Sequence, residues 1–447
     1  MLNGLELSAL TAALPRITNE LQGTTFVWVG SAYALSGTAC IPLSGGLAQL
    51  FGRRAVFLGA LLIMALGSAL CGAAQSMNFL IAGRAVQGLG AGAIISIVAI
   101  ITSDLVPLSD RGFINGLITI GWAVISGAGP LIGGGLAQSG HWRWIFYLNI
   151  PFCGVAAVIM LLFLRVRTPP GSVAEKLRRV DWIGNTLVIA ATASCVIALT
   201  WSGIQHPWNS ASVLVPFILG LMGLVGFIAY EATVAKHPLV RIFPLSVSFI
   251  NRNGLLTVSQ VPFILMSTRT SFSGYAQIFI MPIVLLGIIL AYLAISAVGM
   301  GILITTTFFP VLAPLPISEN AAALSYYMFL RNFAQVWGVT IGGAVLQNEL
   351  RKRMPADFLV QFPEGVAVAY TIIPLIPSLE EPLKSEVRVA FADSLKVVWE
   401  VLTGIAGLGL ISCIGMKALP LHTDVDRDWA LQNGKNDAKE RYEPSEK

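Results

Sequence analysis

Charged side chains are scarce in this sequence of 447 residues. Asp, Glu, Lys and Arg together make up 11% of the chain, hydrophobic residues make up 55%, and the mean hydropathy is +0.76. A soluble globular domain carries about 25% charged residues, so this chain has too little polar surface to be stable in water. The composition excludes an ordinary soluble protein and indicates an integral membrane protein.

Motifs of catalytic and metal sites are also lacking. The chain has no HExxH zinc motif, no phosphate-binding P-loop and no GxSxG nucleophile turn, and its four histidines are scattered. Its five cysteines lie in apolar runs without a CxxC pair. The sequence therefore predicts no enzyme, no metal ion and no cofactor. The Lys and Arg residues behind the net charge of +5 lie mostly between apolar runs, which argues against a nucleic-acid partner.

Long apolar runs are the most prominent feature of the sequence. A helix needs roughly 20 apolar residues to cross about 30 Å of hydrocarbon, and helices satisfy their own backbone hydrogen bonds in lipid. The sequence predicts membrane helices at 2–17, 26–50, 55–75, 79–102, 113–138, 144–164, 182–203, 212–233, 321–346 and 397–416. A further apolar run at 278–312 is long for one upright span and slightly short for two.

Basic residues predict the orientation of the helices. Arg53, Arg111 and the basic group at 165–179 fall in alternate loops, whereas the loops between them carry neither Lys nor Arg. By the positive-inside rule the basic loops face the cytoplasm, and the aromatic residues at 142–147 mark the opposite interface. Charge counting does not decide whether 278–312 forms one span or two.

Ionisable residues inside apolar runs are functional candidates because they are costly in lipid. Glu6 can bind and release a proton there, although it is also close enough to the start of the chain to be interfacial. Arg84 can hold a carboxylate ionised, or it can snorkel to a helix end. Glu231 is expected to reach the interface. Arg331 and Gln335 share a helix face, and the sequence does not decide whether they pack between helices or line a cavity.

Glycine spacing predicts two close helix contacts. Gly88 and Gly92 are four residues apart, as are Gly129 and Gly133, and Pro130 lies within the second pair. Small residues at this spacing allow helix backbones to approach, and proline bends its helix.

Several of these segments resemble motifs of the major facilitator superfamily, in particular the fungal drug:proton antiporters with fourteen spans. The segment 46–54, GLAQLFGRR, resembles the signature loop between the second and third spans. The segments that resemble other motifs of the family are 84–90 in the fourth span, 129–134 in the fifth, 142–151 at the start of the sixth, and 331–338 with 394–399 in the last two.

The resemblance implies an alternating-access transporter with its site near the midplane between two helical bundles, exporting small molecules in exchange for protons. Glu6 matches an acidic position, usually aspartate, and Arg84 matches an arginine associated with proton coupling. Gln87, Arg331 and Gln335 are the predicted substrate cavity. The predicted gating loops contain Gly46, Gly52, Arg53, Arg54, Asp110 and Arg111. The predicted antiporter motif contains Gly129, Pro130, Gly133 and Gly134.

The sequence also departs from the family pattern. Gln49 stands where the signature loop has an aspartate, which weakens the expected charge relay, and Ile125 replaces a glycine. Between Tyr275 and Thr306 the chain lacks roughly a hundred residues, or about two spans. Losing two spans leaves an even number of spans, so both termini stay on the cytoplasmic side. We therefore expect two helices in 278–312 and about 12 transmembrane helices in all. The basic cluster Arg351–Arg353 then lies outside, against the positive-inside rule.

The predicted organisation has four parts: a six-helix bundle at 1–165, two linker spans with a cytoplasmic loop at 166–275, a shortened bundle at 276–419, and a polar cytoplasmic tail at 420–447. The expected partners are a small-molecule substrate, protons and the lipid bilayer. The plasma membrane is favoured over the vacuolar membrane. Two alternatives are a carrier for a chelated metal or a secreted metabolite, and a shortened membrane protein that does not transport.

Overall fold

The computed structural model describes residues 2–21, 27–107, 110–164, 180–202, 206–234, 320–360 and 372–412, together with the single positions 172, 175 and 312. Their regular structure is helical, which confirms the predicted all-α fold. The helices are α1 Leu2–Leu21, α2 Val27–Phe51, α3 Arg53–Gly72, α4 Met77–Leu105, α5 Arg111–Gln138, α6 Trp144–Tyr147, α7 Asn149–Phe163, α8 Trp182–Trp201, α9 Ala211–Thr233, α10 Asn320–Arg353, α11 Ala356–Leu359 and α12 Leu383–Ser412, with a 3-10 helix at Ile373–Ser378.

Seven segments of the described residues are long and apolar enough to cross a membrane, and one of them, Trp144–Phe163, runs through α6 and α7. The chain is therefore an integral membrane protein that crosses the bilayer several times. The predicted pair of spans at 278–312 lies outside the described residues, apart from Leu312. The predicted boundaries near 165, 275 and 419 also lie outside them, so the division into four parts stays a prediction.

Helix α4 is at the centre of the front half of the chain. It packs against α2 on one side and α3 on another, while α1 packs along α5 and α7 packs against α3. The helix begins at Met77, because the hydroxyl of Ser76 caps it by accepting a hydrogen bond from the backbone N–H of Phe79 at 3.3 Å. This start fixes which residues of α4 face α1, α2 and α3.

Helix α12 begins fourteen residues earlier than the predicted span at 397–416. Its first half is amphipathic: Val387, Ala390 and Phe391 are buried against the end of α10, whereas Glu386 and Arg388 are not. A span search by hydropathy overlooks such a segment because its charges lower the average, although the spacing of three and four residues is helical.

Helices α9 and α10 run antiparallel. Near the start of α10, Phe329 packs in one cluster with Phe227 from the end of α9. Further along α10, the ring centroid of Trp337 lies 5.6 Å from that of Phe217, near the start of α9. The carboxyl end of α10 therefore lies on the side of the membrane where α9 begins, which the orientation predicts to be outside.

The basic cluster Arg351–Arg353 is at this end, so its position agrees with the predicted exception to the positive-inside rule. Glu349 offsets part of its charge, since its carboxylate accepts hydrogen bonds from Lys352 at 2.8 Å and from Arg353 at 3.0 Å. These ion pairs are largely solvent-exposed, and each contributes little to stability.

Candidate functional site

Glu6 and Arg84 form an ion pair in the interior of the front bundle. The two side chains come from α1 and α4, and Nη1 of Arg84 donates a hydrogen bond to Oε1 of Glu6. Glu6 is 1% exposed and Arg84 is 0% exposed. The structure therefore supports neither an interfacial Glu6 nor a snorkelling Arg84.

The second carboxylate oxygen of Glu6 accepts two further hydrogen bonds. Nε2 of Gln87 donates to Oε2 at 2.8 Å, and Nδ2 of Asn149, the first residue of α7, donates at 2.6 Å. Gln87 also donates to the hydroxyl of Ser68 at 2.8 Å. We call Glu6, Arg84, Gln87, Asn149 and Ser68 the Glu6 network. Within the described residues, the carboxylate of Glu6 is the acceptor in each of these hydrogen bonds, so the network stabilises the ionised carboxylate.

Arg84 is held from three directions. Its Nε donates to the backbone carbonyl of Val29 at 3.0 Å, its Nη1 donates to Oε1 of Gln87 at 2.7 Å, and its guanidinium carbon lies 4.0 Å from the ring centroid of Tyr33. Within the described part of the chain, three buried polar atoms around it have no hydrogen-bond partner: Nη2 of Arg84, the hydroxyl of Tyr33 and Oδ1 of Asn149. Such groups are rare in protein interiors, and each requires an explanation.

Glycine places these side chains by letting the helices touch. A Cβ on Gly67 of α3 would overlap the backbone of Gln87, so α3 and α4 are in direct contact beside the network. A Cβ on Gly88 would overlap the carbonyl of Tyr33, and one on Gly92 would overlap that of Gly37. The predicted close approach at the pair Gly88 and Gly92 is therefore present, and it joins α4 to α2.

The second glycine pair joins α5 to α1, the helix that carries Glu6. A Cβ on Gly129 would overlap Ser8, and one on Gly133 would overlap the backbone of Ala9. Pro130 lies inside α5 next to this contact and faces outward. Gly134 has open space around it, so it does not take part in the contact.

Gly133 and Gly134 offer a matched pair of substitutions. We expect Gly133→Ala to lower the free energy of unfolding by about 1–3 kcal/mol, because the new methyl group overpacks α1 against α5. Gly134→Ala is expected to be neutral or stabilising by up to about 1 kcal/mol, because alanine has the better helix propensity. Thermal unfolding of the purified variants in detergent measures both. Equal effects at the two positions would contradict the packing assigned to Gly133.

A second buried ion pair lies at the opposite end of α4. Nε of Arg53 donates to Oδ2 of Asp104 at 2.8 Å, and both side chains are buried. Gln49 and Asp110, which the sequence analysis considered, are both exposed. Asp104, the partner of Arg53, lies beyond the predicted span at 79–102 and was overlooked for that reason.

The other predicted gating residues surround this ion pair. Gly52 has φ +86°, a conformation that favours glycine, and it separates α2 from α3. Arg111 donates to the carbonyls of Ser103 at 2.6 Å and Val106 at 2.8 Å, and Arg54 donates to the carbonyl of Leu161 at 2.9 Å. These contacts hold the ends of α3, α4, α5 and α7 together. Gly46 is half-buried in α2.

The two ion pairs are far apart along the same helix. Arg84 and Asp104 are twenty residues apart in α4, or about 30 Å at 1.5 Å per residue. Arg84 is seven residues, or about 10 Å, from the start of α4, whereas Glu6 is fifteen residues, or about 22 Å, from the end of α1 on the same side. The site near the midplane that the resemblance implies stays a prediction.

The three predicted cavity residues are not brought together. Gln87 is buried in the Glu6 network, whereas Arg331 and Gln335 are half-buried on α10. Within the described residues, no hydrogen bond joins either of them to that network. The other side of α10 carries a row of rings that the sequence analysis missed: the centroids of Phe329 and Phe333 are 5.8 Å apart, as are those of Phe333 and Trp337.

Two further predicted interface residues are covered by protein. Glu231 is 4% exposed and lies near the end of α9, and a Cβ on Gly184 of α8 would contact both Glu231 and Asp181. Trp142 lies in the loop between α5 and α6 and is buried, and its indole N–H donates to Glu20 at the end of α1 at 2.8 Å. Their position at the membrane interface stays a prediction.

Comparison with known proteins gives consistent matches. The family model described as Major Facilitator Superfamily matches residues 1–339. The chain is 33% identical to the efflux pump FUS6 of Gibberella moniliformis, with 98% of this chain and 89% of that protein covered. It is 32% identical to the acurin A biosynthesis cluster MFS-type transporter of Aspergillus aculeatus, with 96% of this chain and 89% of that protein covered.

The alignment with the Gibberella protein spans 502 positions, more than the 447 residues of this chain, so that relative has residues that this chain lacks. Among solved structures, the human organic anion transporter MFSD10 aligns with 93% of this chain and 96% of its own, at 16% identity and a TM-score of 0.42.

Proposed function

Because the chain belongs to the Major Facilitator Superfamily and is similar to fungal efflux pumps, we propose that it exports small molecules by coupling their movement to protons. The family and the membrane helices make it a transporter and not an enzyme. The proton is the coupling ion in this proposal, and Glu6 is the group that carries it.

The buried Glu6–Arg84 ion pair is the observation that supports proton coupling. An isolated charge in a low-dielectric interior is costly, so each partner stabilises the charged form of the other. Protonation of Glu6 cancels one charge and leaves Arg84 with an unmatched guanidinium, whose Nη2 already makes no hydrogen bond. The protonated and ionised states therefore favour different arrangements of α1 and α4, which is the requirement for coupling.

The available energy is sufficient for export. One proton moving down a membrane potential of 100 mV supplies about 2.3 kcal/mol, which corresponds to roughly a 50-fold concentration ratio for a neutral substrate. A pH gradient adds to this value. One proton per substrate molecule is thus enough for a useful exporter.

Reconstitution into liposomes tests the proposal. A panel of amphipathic fluorescent dyes and fungal metabolites is loaded, and transport is followed with and without an imposed pH gradient. We expect the gradient to drive accumulation of at least one compound, and dissipating it with a protonophore to abolish the effect. Transport that is indifferent to the gradient for every transported compound would argue against proton coupling.

A carrier dedicated to one secreted metabolite is the second candidate. The name of the Aspergillus relative assigns that protein to a biosynthesis cluster, and such a carrier has a single substrate. Competition among the compounds of the same panel separates this candidate from a drug exporter with broad specificity. A shortened protein that does not transport predicts no flux for any compound. We place the exporter in the plasma membrane, where outward transport removes its substrate from the cell.

A further inference from the structure

The hydrogen-bond donors around Glu6 create a problem for its protonated form. Oε1 accepts from Arg84, and Oε2 accepts from Gln87 and Asn149. A protonated carboxyl carries an O–H that must itself donate, and an arginine or an amide NH2 group offers only hydrogens. If none of these neighbours changes, the new proton has no acceptor, and a buried unsatisfied donor costs free energy.

Among the three side chains that donate to Glu6, only the two amides can become acceptors, by rotating through about 180° so that the amide oxygen and nitrogen exchange places. Gln87 is fixed against this rotation. Its Oε1 already accepts from Nη1 of Arg84 at 2.7 Å, while its Nε2 donates to Glu6 and Ser68. Rotation would turn its NH2 group against the guanidinium and break all of these bonds.

Asn149 is not fixed in this way. Its Nδ2 donates to Glu6 at 2.6 Å and approaches the hydroxyl of Ser68 at 3.4 Å, but its Oδ1 is buried and makes no hydrogen bond to any residue that the structure describes. Rotation would bring Oδ1 to Glu6, where it accepts the new O–H. The hydroxyl of Ser68 already accepts from Gln87, so its own hydrogen remains able to donate to the rotated Oδ1.

We propose that Asn149 is a positioning residue whose side-chain amide rotates when Glu6 is protonated and so transmits the protonation state from α1 to α7. This inference rests on the proposed proton coupling at Glu6. No proton is consumed: the proton on Glu6 stays on its carboxyl and forms a hydrogen bond to Oδ1 of Asn149.

The position of Asn149 makes this signal useful. It is the first residue of α7, and Leu148 before it has helical backbone angles (φ −56°, ψ −31°), so α6 continues into α7 as one span, Trp144–Phe163. Both helices of this span pack against α3. A change at Asn149 therefore acts directly on a membrane span other than the one that carries Glu6.

Apart from Arg84, no titratable group around Glu6 hydrogen-bonds to its carboxylate within the described residues. The titratable or charged side chains that feel its charge are Arg84 from α4, Tyr33 from α2, Cys71 from α3 and Cys153 from α7. The titratable side chains of α5 and α6, which also pack against α1, are Arg111 and Tyr147. In this part of the chain the hydrogen bonds to the Glu6 carboxylate come from donors on α4 and α7.

Infrared difference spectroscopy of the protein in lipid tests the rotation without needing a substrate. Spectra at acidic and alkaline pH are compared for wild type, for protein with isotopically labelled asparagine amides, and for protein with labelled glutamine amides. We expect a carboxylic acid band that is absent in Glu6→Gln, together with an asparagine amide band that changes at the same pH. The amide change should be lost completely in Asn149→Leu, and glutamine labelling should shift no band in step with it.

The outcomes separate the two proposals. A Glu6 band without an accompanying asparagine change, or an asparagine change that survives in Asn149→Leu, overturns the rotation and leaves proton coupling intact. Absence of any Glu6 band between these pH values overturns both. If Asn149→Leu fails to fold, Asn149→Ser, which keeps a small polar group, replaces it in the same comparison.

Discussion

Glu6→Gln should reduce proton-driven accumulation of substrate from as much as about 50-fold to about onefold. The substitution keeps the size and polarity of the side chain but removes the group that binds the proton, so the membrane potential of about 100 mV can no longer be converted into a substrate gradient. Accumulation of a transported dye in liposomes with an imposed membrane potential of about 100 mV and a pH gradient of the same direction measures the effect. Exchange of substrate for substrate, which needs no proton, should continue.

Glu20→Gln is the matched control for this experiment. Glu20 is on the same helix, but it is at the opposite end and partly exposed, and it pairs with Arg143 and Trp142. Its loss should leave gradient-driven accumulation unchanged. Full accumulation in Glu6→Gln, or equal loss in both variants, would remove Glu6 from the coupling mechanism.

Arg84→Met should destabilise the folded protein by about 3–5 kcal/mol, because it leaves the carboxylate of Glu6 buried without its counter-charge. The deficit should shrink at lower pH, since protonation of Glu6 removes the unpaired charge. Adding Glu6→Gln to Arg84→Met should recover part of the lost stability, because the double variant buries no unpaired charge. Unfolding of the wild type and of both variants in mixed detergent micelles measures these effects.

Arg143→Met provides the comparison for Arg84→Met. The side chains of Arg143 and Glu20 are about one-third exposed, so we expect a loss of about 1 kcal/mol or less from this pair. A similar loss at both arginines, or a double variant that is no more stable than Arg84→Met alone, would show that the buried pair does not couple energetically.

The membrane helices were predictable because hydropathy alone determines where a span can lie. The predicted helices at 182–203 and 212–233, for example, correspond to Trp182–Trp201 and Ala211–Thr233. Glu6 and Arg84 were predictable as candidates because an ionisable residue within an apolar run is conspicuous. Their contact was not predictable, since it requires α1 and α4 to meet with the correct faces.

The residues that the sequence analysis missed escaped it for different reasons. Asn149 and Ser68 are neutral, so a search for charges in apolar runs does not find them, and only the three-dimensional contacts bring them to Glu6. Asp104 lies outside the predicted span at 79–102 because α4 continues beyond its apolar part. The aromatic residues at 142–147 were assigned to the interface because aromatic residues favour that location, and this pattern does not reveal that the indole N–H of Trp142 donates to Glu20.

Proton movement driven by substrate alone tests the coupling most directly. Liposomes containing the protein are loaded with a transported dye and placed in dye-free buffer of the same pH, with the membrane potential held at zero. As the dye leaves, protons should enter, and the lumen should become more acidic in wild type and stay at constant pH in Glu6→Gln. Outward flux of dye through the wild-type protein without any change in internal pH would contradict proton-coupled export.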